Sequence, residues 1–300
     1  MSTWPDDLRA LFPHARVSEP MSKHTTFHIG GPADAFVALH DEEQVTRLYS
    51  FARGRGLPVM LLGRGSNLLV LDRGVRGIVA RLKGEFERIE FPGGNIVRAG
   101  AGARLPQLAM DCAERGLAGA ETLVGVPGTV GGGLVMNAGT RDGEIGAVVK
   151  RVRIFEPEIG KGAWLAGKAL AFSYRKSNLE NRVVLAGELE LKAGSKGDIL
   201  ARVREMQQRR SQTQPIHTFN VGSVFKNPPG RFVAQLIQEA GLKGLRHGGA
   251  KVSDLHANFI ENDKDATAAD VLKLVDTLRE SVSRRFGVEL ELEVKVVGEA

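Results

Sequence analysis

Apolar residues recur at helical spacing in the last third of the chain. Residues 268–286 are predicted to form a helix with Thr267 as its N-cap and Gly287 just past its end. Its apolar positions are Val271, Leu272, Val275, Leu278, Val282 and Phe286. Two further amphipathic helices are predicted over 197–212 and 231–241. A half-buried strand near the end of the chain is predicted from the alternation of Val288, Leu290, Leu292, Val294 and Val296.

The apolar pattern in the first third of the chain predicts a strand, a helix and a second strand. The first strand covers 36–39, the helix runs from Asp41 to about Gly54, and "PVMLL" at 58–62 predicts a buried strand. The loop "GRGSN" at 63–67 then leads into strand-like apolar residues. A Rossmann-type glycine loop opens a helix instead, so this pattern excludes a Rossmann site.

The middle of the chain alternates glycine with short predicted strands, at "NIVRAGAG", "VKRVRIFEP" and "VVLAGELEL". One helix interrupts them around "LPQLAMDCAERGL" and ends at Gly116. The 300 residues are enough for two or three domains. Shifts in composition near 83 and 195 predict three of them, at 1–83, 84–195 and 196–300.

Charge and cysteine content narrow the class of protein. The net charge is +6, but its 41 basic residues are scattered among 35 acidic ones and only 6% of residues are aromatic. An anionic small molecule is therefore favoured over nucleic acid. Cys112 is the only cysteine, which excludes an intrachain disulfide and indicates a reducing compartment. Neither a zinc-like spacing nor an apolar run of about 20 residues is present, so we expect a cytoplasmic protein without a metal or a membrane span.

The stretch "VGVPGTVGGGLVMNAG" at 124–139 carries six glycines and no charged side chain. A backbone without side chains can present successive N–H groups to an anion, and a diphosphate is the natural occupant. A glycine-rich turn or a set of bulges is the alternative interpretation. Two further glycine clusters, at 25–33 and 62–70, favour one long ligand.

Seven motifs occur in the order found in the UDP-N-acetylenolpyruvoylglucosamine reductase (MurB) family, and the chain resembles that family from about residue 20 to 299. The motifs are "HTTFHIGGPA", "GRGSNLLV", "VGVPGTVGGGLVMNAG", "FSYRKS", "VGSVFKNP", "GGAKVSDLHANFI" and "VKVVGE". The resemblance implies an α+β fold of the vanillyl-alcohol-oxidase type, with two FAD-binding subdomains and a C-terminal substrate-binding domain. No insertion follows "KNPPGR", which resembles the shorter subgroup without the tyrosine loop.

The resemblance also implies the reaction. It is the NADPH-dependent reduction of UDP-N-acetylglucosamine-enolpyruvate to UDP-N-acetylmuramate, a step of peptidoglycan precursor synthesis. Hydride would pass from NADPH to non-covalent FAD and from flavin N5 to C3 of the enolpyruvyl group, and a proton would then reach C2. A cytoplasmic monomer that binds neither nucleic acid nor membrane is expected.

Each site residue follows from its match to a family motif. Arg175, Ser223 and Glu299 are the implied catalytic residues: the arginine binds the developing enolate, the serine gives the proton to C2, and the glutamate is expected to be protonated or to share a proton. The implied cofactor-binding residues are Gly63, Arg64, Gly65, Ser66, Asn67, Gly125, Pro127, Gly128, Thr129, Gly131, Gly132, Asn137 and Ala138. The implied substrate-binding residues are Tyr174, Lys226 and Asn227.

One residue departs from the family pattern: His28 stands where an arginine is expected in "TTFHIGG". Two other functions stay open at this point. An oxidase of the same flavin fold would keep the glycine loops but has no reason to keep Arg175, Ser223 and Glu299. A nucleotide- or RNA-binding module would carry no flavin, and its affinity would fall steeply with salt.

Overall fold

The computed structural model describes residues 3–300, which form two compact units. The first unit comprises the chain up to Arg16, Phe36–Gly63 and Ile78–Arg210. The second comprises Val17–Ala35, Arg64–Gly77 and Ser211–Ala300. Both units are assembled from separate stretches of chain, and strands Pro32–Leu39 and Val75–Leu82 contribute residues to both. The three-domain division near 83 and 195 stays a prediction.

The first unit is built on a five-stranded antiparallel sheet. Its strands, in spatial order, are Lys161–Ala166, Val149–Glu156, Val183–Glu190, Ile96–Gly100 and Ile89–Gly93. The three central strands are the ones that the sequence predicts in the middle of the chain. Apolar side chains such as Val152, Ile154 and Leu189 are fully buried, which gives this sheet its hydrophobic face.

A buried carboxylate links the three central strands of this sheet. Glu188 is 3% exposed and lies directly opposite Arg151 on one side and Arg98 on the other. Arg151 Nε donates to Glu188 Oε2 at 2.5 Å, and Arg98 Nε donates to Oε1 at 2.8 Å. The hydrogen bonds from Arg151 and Arg98 lower the pKa of Glu188. The buried carboxylate is thus paired with two arginines whose side chains stay partly exposed to water.

The strand–helix–strand arrangement predicted for the first third is present. Helix Glu42–Arg53 begins after Asp41, whose Oδ1 accepts from the Gln44 N–H at 2.8 Å as an N-cap. Strand Val59–Leu61 then pairs parallel with Ile78–Ala80. The other helices in or entering this unit are Trp4–Leu11, Leu105–Glu114, Val130–Met136 and Lys196–Thr213. Its short strands are Leu117–Ala118, Gly139–Thr140, Gly143–Glu144, Phe172–Ser173, Lys176–Ser177 and Lys192–Ala193.

The second unit packs helix Ala268–Phe286 against a small sheet. As predicted, Thr267 is the N-cap and Gly287 ends the helix in the left-handed conformation; Thr267 and Asp270 form a capping box. The sheet strands, in order, are Phe219–Asn220, Ile260–Asn262, Ala250–Val252 and Arg246–His247. The unit also contains helix Val233–Glu239 and strands Arg16–Pro20, Leu68–Val70 and Lys295–Val297.

The predicted strand at the end of the chain is shorter than its alternation indicates. Only Lys295–Val297 is a strand, paired parallel with Leu68–Val70. The residues before it bond to different partners in turn: the Glu293 N–H donates to the Val224 carbonyl, and the Asn67 side chain donates to the Glu293 carbonyl. The alternation of apolar residues correctly indicates that Leu290 and Val294 are buried. It does not produce a longer strand, because no continuous partner strand extends along this segment.

Candidate active site

The glycine-rich stretch contains a helix that the sequence does not predict. Val130–Met136 is α-helical, and Asn137 ends it in the left-handed conformation with φ 46°. The stretch is held by Ala101 and Ala103, whose carbonyls accept from the N–H groups of Gly131 and Val130 at 2.9 and 2.8 Å. These two N–H groups are used within the fold and cannot bind an anion, because each already donates to a carbonyl.

The glycines of this helix differ in what faces them. A Cβ on Gly131 would lie 2.9 Å from the Ala101 Cβ, and one on Gly133 would lie 2.9 Å from a Leu105 methyl carbon. Both are glycine because the helix packs closely. Gly132 is exposed, and the nearest atom to its Cβ position is the Thr129 hydroxyl at 3.7 Å. Gly132 is therefore the helical glycine whose backbone a ligand can approach.

The "GRGSN" loop contacts other glycine-rich segments. In the first unit, a Cβ on Gly63 would lie 2.6 Å from the Thr129 hydroxyl. In the second unit, Gly65 has φ 64°, and its carbonyl accepts from the Thr26 N–H at 3.2 Å. Asn67 donates to Glu293 O, so its side chain anchors the loop to the end of the chain.

Arg175 lies at the tip of a hairpin, Phe172–Ser177, that we call the arginine hairpin. Its backbone has φ 56°, a left-handed conformation that is uncommon for a non-glycine residue. The guanidinium is largely buried: Nη2 donates to the Gly139 carbonyl at 3.1 Å, and Nη1 lies 3.5 Å from Glu144 Oε1. The Tyr174 ring lies 5.0 Å from the guanidinium carbon.

Gly139 and Glu144 face each other in a two-stranded ribbon, Gly139–Glu144, that we call the acidic ribbon. Asn137 precedes the ribbon and is 2% exposed. Its Nδ2 donates to Glu144 Oε2 at 2.7 Å and to the Ser173 carbonyl at 2.8 Å. Glu144 is a candidate functional residue that the sequence does not single out, because a lone acid in a turn has no motif spacing.

Ser223 lies in a segment of the second unit whose main chain is fixed on both sides. Asn258 is 3% exposed; its Oδ1 accepts from the Phe225 N–H at 3.0 Å and its Nδ2 donates to the Phe225 carbonyl at 2.8 Å. On the other side the Val224 carbonyl accepts from the Glu293 N–H at 2.8 Å. The motif "HANFI" contains Asn258, but its buried clamping role is visible only in the structure.

Glu299 is held by its main chain despite its place next to the end of the chain. Its N–H donates to the Gly74 carbonyl at 2.9 Å and its carbonyl accepts from the Arg73 N–H at 3.1 Å. The carboxylate is 57% exposed and lies 3.5 Å from Arg76 Nε. Arg76 also donates a hydrogen bond to Asp34 at 2.5 Å, so Glu299 shares this arginine with a second acid.

The three predicted substrate residues have different surroundings. Tyr174 is 46% exposed on the arginine hairpin. Lys226 is ion-paired with Glu291 at 2.5 Å. Asn227 Oδ1 accepts from the Val233 N–H at 3.0 Å and so caps the start of helix Val233–Glu239. The structure therefore gives Asn227 a capping role that the sequence does not predict.

Two family models match the chain. One, described as a FAD binding domain, matches residues 33–161, and the other, described as the C-terminal domain of UDP-N-acetylenolpyruvoylglucosamine reductase, matches residues 214–297. A UDP-N-acetylenolpyruvoylglucosamine reductase of Symbiobacterium thermophilum is 46% identical over 285 residues, covering 94% of this chain and 92% of the relative. The chain belongs to this reductase family.

A relative of the same name from Moorella thermoacetica is 44% identical, covering 94% of this chain and 93% of the relative. The crystal structure of a family member from Thermus caldophilus matches with a TM-score of 0.82 and 39% identity, covering 95% of this chain and 98% of that one. These similarities confirm the family resemblance and the α+β FAD-binding fold class that the motifs imply.

Other titratable groups in this family member are buried or contact a neighbouring ring. The exposed His28 stacks on Phe219 in the second unit, with 4.0 Å between the ring centroids. Burial lowers the pKa of His256 and raises that of the Cys112 thiol to about 12. Within residues 3–300, no cluster of three or more metal-ligating acids, histidines or cysteines occurs. No helix in that range combines the length and apolar composition that crossing a bilayer requires.

Proposed function

We propose that this chain reduces the enolpyruvyl group of UDP-N-acetylglucosamine-enolpyruvate to give UDP-N-acetylmuramate, with dissociable FAD as cofactor and NADPH as reductant. The observation that carries the proposal is the 46% identity, along 94% of the chain, to a relative named for this reductase activity. The contacts of Arg175 and Glu299 support it, as do the main-chain hydrogen bonds of the two residues that follow Ser223, because they hold these three positions in place.

The residues of the glycine-rich loops fit a FAD diphosphate. The exposed backbone at Gly132 has room beside it, and Gly125 has no neighbour within 3.4 Å of its Cβ position. Of the predicted cofactor residues, Gly63, Arg64, Gly65, Ser66, Gly125, Pro127, Gly128, Thr129 and Gly132 are proposed to contact FAD. Gly131, Asn67, Asn137 and Ala138 have internal contacts, so we propose that they shape the loops.

The protein's own contribution would be to orient and protonate the substrate. FAD, when bound and reduced by NADPH, would supply the hydride that adds to C3. Arg175 would hold the enolpyruvyl carboxylate and stabilise negative charge there, because a guanidinium stays protonated and can bind a carboxylate with two hydrogen bonds. Ser223 Oγ would then donate a proton to C2, a step that needs the hydroxyl beside a basic, sheltered carbon.

Glu299 would act from the second unit as an acid or as a group that orients one. The antiparallel bridge between Gly74 and Glu299 keeps the residue in place. In the free protein its carboxylate lies 3.5 Å from Arg76 Nε, and a protonated or proton-sharing Glu299 beside the bound substrate stays a prediction. Tyr174 and Lys226 are proposed to contact the nucleotide sugar.

The remaining expectations belong to the same proposal. They are the three domains at 1–83, 84–195 and 196–300, a monomeric state, a cytoplasmic location and a site without the tyrosine loop. Size-exclusion chromatography with light scattering measures the oligomeric state directly.

Anaerobic turnover tests the proposed function. With NADPH and the enolpyruvyl nucleotide, we expect one NADP⁺ for each product molecule, and a product heavier than the substrate by two hydrogen atoms. NADPH consumption that requires oxygen and leaves the nucleotide unchanged would support an oxidase instead.

A further inference from the structure

We propose that Glu144, fixed by Asn137, is a positioning residue that sets the orientation of the Arg175 guanidinium. The inference rests on the proposed function, in which Arg175 binds the substrate carboxylate. The residues belong to the first unit, and the contacts that carry the inference lie between the acidic ribbon and the arginine hairpin.

The acidic ribbon gives one arginine both a hydrogen-bond acceptor and an ion-pair partner. Gly139 and Glu144 are direct cross-strand partners, so the Gly139 carbonyl and the Glu144 carboxylate have a fixed separation. Arg175 contacts both, through Nη2 and Nη1. A Cβ on Gly139 would lie 2.2 Å from the Gly143 carbonyl oxygen, so glycine is required for this close pairing. A hydrogen bond to the Gly139 carbonyl and an ion pair with Glu144 restrict the direction of the guanidinium more than the hydrogen bond alone would.

Asn137 joins the ribbon to the hairpin. Its Nδ2 bonds to Glu144 and to the Ser173 carbonyl, two residues before Arg175, while its Oδ1 accepts from the Gly146 N–H at 3.0 Å. Both ends of the Arg175–Glu144 contact are therefore tied to the same buried amide. The side chain of Asn137 is committed to these bonds, which is why we assign it a positioning role.

A buried hydroxyl anchors the arginine hairpin to the glycine-rich helix. Ser177 is 4% exposed, and its hydroxyl donates to the Val135 carbonyl of the glycine-rich helix at 2.8 Å. The Arg175 side chain thus extends from a backbone that is held in the left-handed conformation. What remains to be set is the direction of a long side chain with several rotamers, and Glu144 sets it.

The negative charge of Glu144 gives the inference a specific prediction. A second carboxylate close to Glu144 would be repelled, so a purely electrostatic role predicts tighter substrate binding when this charge is removed. A positioning role predicts the opposite. In Glu144→Gln one of the two carboxylate oxygens becomes an NH2 group, so if the remaining oxygen keeps the Asn137 bond, the NH2 group would face the Arg175 guanidinium, another donor.

The test compares two ligands on the flavin-loaded enzyme by titration calorimetry. One is UDP-N-acetylglucosamine-enolpyruvate, and the other is UDP-N-acetylglucosamine, which lacks the carboxylate. The variants are Glu144→Gln and Glu144→Asp, with Glu190→Gln as control because Glu190 is a 59% exposed surface acid paired with Lys150. Flavin content and thermal melting are measured on each variant.

We expect Glu144→Gln to weaken binding of the enolpyruvyl nucleotide by roughly tenfold, with little change for UDP-N-acetylglucosamine. Substrate-driven flavin reoxidation should slow by roughly 10- to 100-fold while reduction by NADPH is kept. Glu144→Asp, which retains the charge, should recover part of the loss, and Glu190→Gln should match the parent protein.

Equal loss for both ligands, no loss for either, or tighter binding of the enolpyruvyl nucleotide would each overturn the inference. The variant Arg175→Gln distinguishes a failure of the positioning role of Glu144 from a failure of the proposed function. If Arg175→Gln shows the same ratio of affinities for the two ligands as the parent protein, Arg175 does not bind the carboxylate, and its role in the proposed function is wrong. If Arg175→Gln loses the distinction but Glu144→Gln keeps it, only the positioning role is wrong.

Discussion

Ser223 and Glu299 depend on neighbours for their position more than on their own side-chain contacts. The Ser223 segment is held through Asn258 and Glu293, and the Glu299 main chain bonds to Arg73 and Gly74, just before strand Val75–Leu82. Motif matching predicts the two residues but not their supports. A buried asparagine or a bridging carbonyl has no signature in sequence, because its partners are distant along the chain.

Replacement of Ser223 should separate the two halves of the reaction. We expect Ser223→Ala to keep flavin reduction by NADPH and to slow substrate-driven reoxidation by roughly 100- to 10,000-fold, since one proton donor is lost. Stopped-flow absorbance measures both rates, and Ser281→Ala on helix Ala268–Phe286 is the control. An equal loss in both halves would argue against proton donation.

Glu299→Gln should also act on the second half-reaction, without a large loss of stability. The main-chain bonds of Glu299 do not involve its carboxylate, and the ion pair with Arg76 is half exposed, so its contribution to the free energy of unfolding is about 1 kcal/mol or less. Parent-like reoxidation in stopped-flow experiments would remove Glu299 from the mechanism.

Among the elements, those with strong periodicity are predicted well. Helix Ala268–Phe286 and the three central strands of the large sheet follow from apolar spacing and caps. Helix Val130–Met136 does not, because glycine is a poor helix former and tertiary hydrogen bonds from Ala101 and Ala103 override that preference. The strand at the end of the chain is predicted too long for the converse reason: apolar and polar residues alternate there, but no continuous partner strand is present.

The glycine-rich helix predicts a contrast between adjacent glycines. Gly131→Val should lower the melting temperature, because its side chain would enter the space of Ala101. Gly132→Val should cost stability only through helix propensity, within about 1 kcal/mol, but should weaken FAD binding. Thermal melting and flavin titration of the apoprotein distinguish the two. Parent-like FAD affinity in Gly132→Val would mean that the cofactor does not approach this face.

The large sheet predicts a pH dependence. Because arginine hydrogen bonds lower the pKa of Glu188, its stabilisation is present above the unfolded pKa of about 4.3 and is lost as the pH falls through the lower folded value. Glu188→Gln should therefore lower stability near neutral pH by about 1 kcal/mol, because both arginines stay partly hydrated, and should flatten the acid side of the profile. Urea unfolding from pH 3 to 7 measures this. An unchanged profile would mean that the triad contributes nothing net.

For the whole chain, the motifs predict the family and the fold class, and the three domains at 1–83, 84–195 and 196–300 stay a prediction. The two units are each assembled from three segments, and strands Pro32–Leu39 and Val75–Leu82 contribute to both. Composition changes along a chain can suggest only continuous domains. Shared strands arise from pairing between distant residues, which no local pattern records.

Anaerobic absorption spectroscopy of the purified, FAD-loaded protein tests the proposed reductase activity most directly. The account predicts that NADPH bleaches the flavin band and that the enolpyruvyl nucleotide alone restores it. A band that returns only when oxygen is admitted would contradict the account, and a protein that takes up no FAD would contradict the assignment of the glycine-rich loops as well.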